Sequence, residues 1–257
     1  MKRPHAFTLI ELLVVIAVIA VLLALLVPSL QRARDQAKNV VCKSNLRGVG
    51  VGIMMYLDDS EQRMPDMYTY TIASNGHLWW DNQGKLLKPS DARAYWGVTY
   101  ADYVRDKELF GCPAFRSFVG ILAQDLLYGG DHRFIYTSAF AANGWLSKEK
   151  ITSISRSAEV IVAHDHMEPR VEHGNRNERS DMLFPSPTGI NLTHYRTGAS
   201  RMNWYRGIFR HTVRRSDDVQ TGGSLNTLWL DGHVSSIRET TGPGVLKRWY
   251  DPLGKNP

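Results

Sequence analysis

Apolar residues fill the chain from Phe7 to Val27, and only Thr8 and Glu11 interrupt them. Coiled as a helix at about 1.5 Å per residue, these 21 residues reach roughly 30 Å, the depth of a bilayer's hydrocarbon core. The pattern predicts a membrane span. Pro28 follows, where a proline inside a helix removes one hydrogen bond and bends the path. Beyond it Leu30, Ala33, Ala37, Val41, Ser44, Gly48, Val51 and Met55 recur at steps of three and four, with Arg32, Asp35, Gln36, Lys38, Asn39 and Lys43 elsewhere on the wheel. This predicts an amphipathic continuation of the same helix, ending near Leu57 and Asp58 ahead of Pro65.

The rest reads as one head of about 200 residues, long enough to bury its own core. Residues 66–106 are rich in Tyr, Trp, Gly and Asp, and Trp79, Trp80, Tyr95, Trp96 and Tyr100 are read as core or helix-covering aromatics rather than a ligand-stacking platform. Strands are expected at 134–140 and 158–163, and a polar, turn-rich excursion at 168–206. Leu225 to Leu230 and Val234 to Ile237 flank Asp231-Gly232, a strong short-range hairpin signal. The fold class is therefore α+β: a long N-terminal helix packed on an antiparallel sheet.

Glu11 conflicts with its surroundings, since a charge near the bilayer centre costs about 3 kcal/mol and is seldom left unpaired. Cutting the Ala6–Phe7 bond would create an amine one turn away, on the same chain or on a neighbouring copy. The stretch Lys2, Arg3, His5, Ala6, then Phe7-Thr8-Leu9-Ile10-Glu11 resembles the N-terminus of type IV prepilins and of type II secretion pseudopilins, with Ala6 where that family usually has Gly. The resemblance implies cleavage after Ala6 by a prepilin peptidase, N-methylation of Phe7 and an assembly role for Glu11. It also implies an N-terminus inside, which counting Lys2 and Arg3 against Arg32, Arg34 and Lys38 does not decide. An ordinary secretory signal fits less well, because its apolar core is shorter and a small-x-small cleavage site follows it.

Further residues, Cys42, Asn45, Leu46, Tyr56, Pro65, Leu109 to Pro113 and Asp231-Gly232-His233-Val234, resemble a large group of prepilin-like proteins with heads of this size. In that group a histidine stands a short fixed interval before the Asp-Gly-His-Val step, and His211 stands further away. The implied organisation is a leader at 1–6, a span at 7–27, an amphipathic extension at 28–58 and an extracytoplasmic head at 59–257.

A net charge of +6 bears on solubility more than on partners. Cys42 and Cys112 are candidates for a disulfide outside the cytoplasm, closing a loop worth on the order of 4 kcal/mol; two separate buried thiols are the alternative. His164, Asp165, His166, His211, Asp231 and His233 are residue types that bind metal, but in no recognised catalytic spacing. Because some pseudopilins bind calcium in the head, the resemblance makes Asp165 and Asp231 candidate oxygen ligands to a structural Ca²⁺; no other cofactor is expected. His194, Arg196, Arg201, Arg206, Arg210, His211, Arg214 and Arg215 alternate with aromatic residues, a pattern that can grip nucleic acid. Nearby acidic residues favour protein contacts instead. No nucleophile elbow, phosphate loop or His-Glu-x-x-His occurs, so no enzyme is predicted.

The chain thus reads as a structural subunit of a type II secretion pseudopilus or type IV pilus-like filament, anchored in the inner membrane by one helix. Expected partners are the prepilin peptidase, other copies, other pilins and an inner-membrane assembly platform. The competing reading is a pilin stem that displays a ligand-binding head for DNA, polysaccharide or export cargo.

Overall fold

A computed structural model describes residues 8–67, 78–91, 93–117, 136–167, 171–172, 207–212, 222–240 and 245–253. Helix α1 runs Leu9–Asp59 with Pro28 inside it, and the Ser29 hydroxyl donates to the Leu26 carbonyl beside the proline. The chain divides into two compact units, residues 1–37 and 38–257.

In the first unit every residue from 8 to 30 is exposed, including Leu13, Ile16, Leu22 and Leu26. A bare apolar surface of this length is what lipid or other helices cover.

In the second unit, the last two-fifths of α1 belongs to the head's core. The sheet has the order β3-β1-β2-β4-β5, with β1 at Phe140–Asn143, β2 at Ile161–Asp165, β3 at Val171–Glu172, β4 at Ser224–Trp229 and β5 at Val234–Arg238. β1, β2, β4 and β5 form an antiparallel run, and the two-residue β3 pairs parallel to β1 at its edge. A short helix α2, Lys247–Tyr250, follows.

Alternation sorts the side chains by face. Asp165, Asn226 and Leu228 point to α1: Cys42 Sγ meets Asp165, Asn226 Nδ2 donates to Asn39, and Leu228 lies against Gly50. His164 and Trp229 point the other way, to Tyr250 and Trp249 of α2. All six β4 residues are buried because both faces are covered.

The helix presents a different face from the one expected. Cys42, Leu46, Val49, Ile53 and Leu57 are buried, whereas Val41, Ser44, Val51 and Met55 are exposed. The segment carries two apolar stripes about one residue step apart. The stripe with the larger side chains wins, since each fully buried Leu or Ile contributes about 1.5–3 kcal/mol. Close approach is secured by glycine: a Cβ on Gly52 would lie 2.0 Å from Val104 Cγ2. Gly52→Ala is therefore expected to lower head stability by about 1–3 kcal/mol, read as a shifted urea midpoint, and Val51→Ala on the exposed stripe should leave it nearly unchanged.

Strand positions also move. The expected strand at 134–140 is realised as Phe140–Asn143, and its first two positions lie outside the described residues. The strand expected at 158–163 begins at Ile161, because Ser157–Glu159 forms a 3-10 turn. Most of 168–206 lies outside the described residues. The aromatic segment is core: Trp79, Tyr95 and Trp96 surround Phe110 with ring centroids 5.0, 5.8 and 5.3 Å away. Their polar atoms tie the cluster to β1, with Tyr95 Oη and Trp96 Nε1 both donating to the Phe140 carbonyl and Trp79 Nε1 to Thr137 O. Buried Tyr and Trp keep their hydrogen bonds in this way.

The terminal hairpin forms as expected. Trp229 N donates to His233 O and Gly232 N to Trp229 O, and Gly232 has φ +88°, a conformation that favours glycine. Asp231 Oδ1 accepts from His233 N, and the His233 ring stacks on Trp229 at 5.6 Å. The Asp-Gly-His-Val step is thus a turn with its own cap and stacking partner.

Candidate functional site: the helix start and a buried polar cluster

Two places carry chemistry. The first is the start of α1. Thr8 precedes the helix, its hydroxyl accepts from Glu11 N at 3.2 Å, and Glu11 Oε2 accepts from both Thr8 N and Thr8 Oγ1 at 2.8 Å. This reciprocal pair is a capping box, which satisfies two backbone N–H groups at a helix end. The sequence signal for it is the Thr-x-x-Glu spacing, which the charge of Glu11 alone does not reveal. The cap supplies hydrogen bonds to the carboxylate and no positive charge. Ala6 and Phe7 lie outside the described residues.

The second place is a fully buried cluster between α1 and the sheet of the head. Cys42 comes from α1, Cys112 from the segment after Phe110, Asp165 from the end of β2, and Arg210 and His211 from the stretch bridged to β4 through His211 and Ser224. Asn45, one turn beyond Cys42, donates from Nδ2 to the carbonyls of Glu108 and Gly111, which fixes the segment carrying Cys112 against the helix. The Cys, Asn-Leu and Cys-Pro steps noted in the sequence therefore converge physically.

Asp165 is the hub. Its Oδ1 accepts from Arg210 Nη2 at 2.5 Å and from Cys42 Sγ at 3.4 Å; its Oδ2 accepts from Asn226 N at 2.7 Å and faces His211 Nε2 at 3.1 Å. Arg210 also donates to the carbonyls of His166, Gly207 and Ala139, and its guanidinium lies 4.8 Å from the Phe115 ring centre. Cys112 Sγ lies 3.6 Å from His211 Nε2.

Burial alone would raise the Asp165 carboxyl, but the Arg210 charge, then His211, hold it well below the usual carboxylate range. Burial would lower His211, and Asp165 overrides it, pushing the imidazole up to about 9. Cys42 is pushed up, chiefly by burial and then by its contact with Cys112. For Cys112, burial is outweighed by the hydrogen bond from Cys42 and the charge of Arg210, which bring the thiol well below its ordinary value.

This geometry bears on three expectations. Cys42 and Cys112 do meet, and the structure holds both as buried free thiols. Asp165 and Asp231 do not share a site: Asp165 sits opposite Asn226, while Asp231 lies past Trp229, several residues along β4 at about 3.3 Å each, and holds His233 Nδ1 at 2.6 Å. Arg210 and His211 are not a basic surface; they are buried partners of Asp165, and the remaining basic residues of that run lie outside the described residues. His164 and His166, with ring centres 5.5 Å apart, share the opposite face of β2 from Asp165, so the three consecutive side chains do not converge.

A Phe-Thr-Leu-Ile-Glu sequence leading into an apolar N-terminal helix, together with an α+β head that packs the far end of that helix on its sheet, defines a pilin-like subunit. Comparison with known proteins agrees. Residues 1–27 match the prokaryotic N-terminal methylation motif. The chain is 36% identical over 106 residues to the type II secretion system core protein G of Pseudomonas aeruginosa, which covers 38% of this chain and 72% of that protein. It is 50% identical over 87 residues to the type IV wide pilus major component PilA4 of Thermus thermophilus, covering 34% of this chain and 54% of that pilin. No solved structure matches. The chain belongs to the family of type II secretion pseudopilins and type IV pilins, and is a structural subunit of a pilus or pseudopilus.

Proposed function

We propose that the chain is made as a precursor, cut after Ala6 by a prepilin peptidase, methylated on Phe7 and drawn from the inner membrane into a filament through its N-terminal helix. The observation that carries this reading is the wholly exposed apolar stretch Leu9 to Val27 headed by the Thr8–Glu11 cap. Such a stretch is stable in lipid before assembly and against other such helices afterwards. A Glu11 carboxylate satisfied in hydrogen bonds but not in charge still attracts a cation, and the new Phe7 amine of a neighbouring copy supplies one. Other copies, other pilins and an inner-membrane platform are the partners this process needs, with the head on the side away from the cytoplasm.

The display reading draws no support from Trp79, Tyr95, Trp96, Tyr100, Arg210 and His211 of the described head, which are buried. Intact mass and N-terminal sequencing of the protein from native membranes tests the proposal. A mature chain beginning at methylated Phe7 is the expected result, and an uncut Met1 start overturns it.

A further inference from the structure

We infer that Cys42, Cys112, Asp165 and His211 form a structural zinc centre that fastens helix α1 to the head sheet. The four residues come from four separate segments, are at most 2% exposed, and place one ligand atom each within 4.8 Å of all the others. Thiolate, imidazole and carboxylate ligands around zinc stand about 2.0–2.3 Å from the ion, so the edges of the tetrahedron run roughly 3.3–3.8 Å. Three contacts among these residues are close to that length: 3.6 Å for Cys112 Sγ to His211 Nε2, 3.4 Å for Cys42 Sγ to Asp165 Oδ1 and 3.1 Å for His211 Nε2 to Asp165 Oδ2. The last two are made by different oxygens of Asp165, one of which would be the ligand.

The charge count favours a divalent ion. Two thiolates, a neutral imidazole and a carboxylate carry three negative charges, which Zn²⁺ and the Arg210 guanidinium beside Asp165 bring to zero. The thiols bind the ion deprotonated, so binding releases protons. Arg210 is the residue that makes this balance, and it holds Asp165 in place by donating to Oδ1.

Ligand chemistry selects the metal. Calcium takes six to eight oxygens, which a site with two sulfurs, one nitrogen and one carboxylate does not offer. Zinc accepts this mixed set at four-coordination, and with four protein ligands the site is closed and structural rather than catalytic. Free thiols held this close would otherwise tend to oxidise outside the cytoplasm, and a thiolate bound to zinc is withdrawn from that reaction.

The test uses the full-length protein, extracted in detergent with a reductant and without chelator. Elemental analysis is expected to find about one zinc per chain, and stripping it should lower the melting midpoint. Cobalt(II) added to the stripped protein should give the absorption of a tetrahedral thiolate site, abolished in Cys112→Ser and in His211→Gln. The cobalt spectrum of the unaltered protein stands whether or not the variants fold. A cooperatively folding protein that carries no zinc, gives no tetrahedral cobalt spectrum and shows two titratable thiols overturns the inference. So does an intact mass lighter by two hydrogens, which marks a Cys42–Cys112 disulfide.

Discussion

Arg210→Met is expected to destabilise the head by about 3–5 kcal/mol, the cost of leaving a buried carboxylate without its counter-charge. Arg210 and Asp165 are both fully inaccessible to solvent, so no water replaces the lost partner. The carbonyls of His166, Gly207 and Ala139 lose a charged donor at the same time, and each orphaned acceptor adds to the cost. Methionine matches much of the arginine stem in length, which keeps the cavity contribution small. Asp165→Asn alone should cost a similar amount for the mirror reason, leaving a buried guanidinium uncompensated.

The double variant Arg210→Met/Asp165→Asn separates pairing from packing, because it removes both charges together. It is expected to be markedly more stable than the sum of the single losses, in urea melts followed by tryptophan fluorescence. Strict additivity would show that the two groups do not act as a pair. Acid should act in the same direction as the single variants. The Asp165 carboxyl is held below its unfolded value, so the unfolded chain takes up the proton first as pH falls. Its contribution is present above about pH 4 and is lost below it. Protonation of the thiolates and imidazole would release a bound zinc over the acid range as well, so metal loss and ion-pair loss reinforce each other.

The legibility of these features followed how local their causes are. The span, the Asp231-Gly232 turn and the approximate position of β2 each depend on neighbours within a few residues, and each was readable. The buried face of α1 was not, because two apolar stripes compete there and the choice is made by Val104, Leu109 and Leu228, residues distant in sequence. The cluster was half legible. The sequence pairs Cys42 with Cys112, which do meet, but it does not join them to Asp165 and His211, since α1, β2 and the segment before β4 come together only in the folded state. Arg210 was counted with surface cations because sequence composition carries no sign of burial. The Thr8–Glu11 cap is legible by spacing, although the charge of Glu11 points first to a partner on another subunit.

Glu11→Val is expected to leave the protein in the membrane and to remove it from filaments. Valine removes a charge that costs about 2.5–3.5 kcal/mol at the centre of a span and less near its end, where Glu11 stands, so insertion is helped rather than harmed. Two things are lost: the capping bond to Thr8 N and the negative charge. Glu11→Gln distinguishes them, because glutamine at the third helical position also completes a capping box while carrying no charge. If the charge attracts the Phe7 amine of the next subunit, Gln should fail as Val does, with monomer accumulating in the membrane fraction and the sheared filament fraction empty. Normal assembly of the Gln variant would instead assign the role of Glu11 to the helix cap, whose loss costs about 1 kcal/mol. The expected order places both variants with the failures, since a cap that can be supplied locally by Thr8 leaves the carboxylate's charge as the property that only a neighbouring subunit can satisfy.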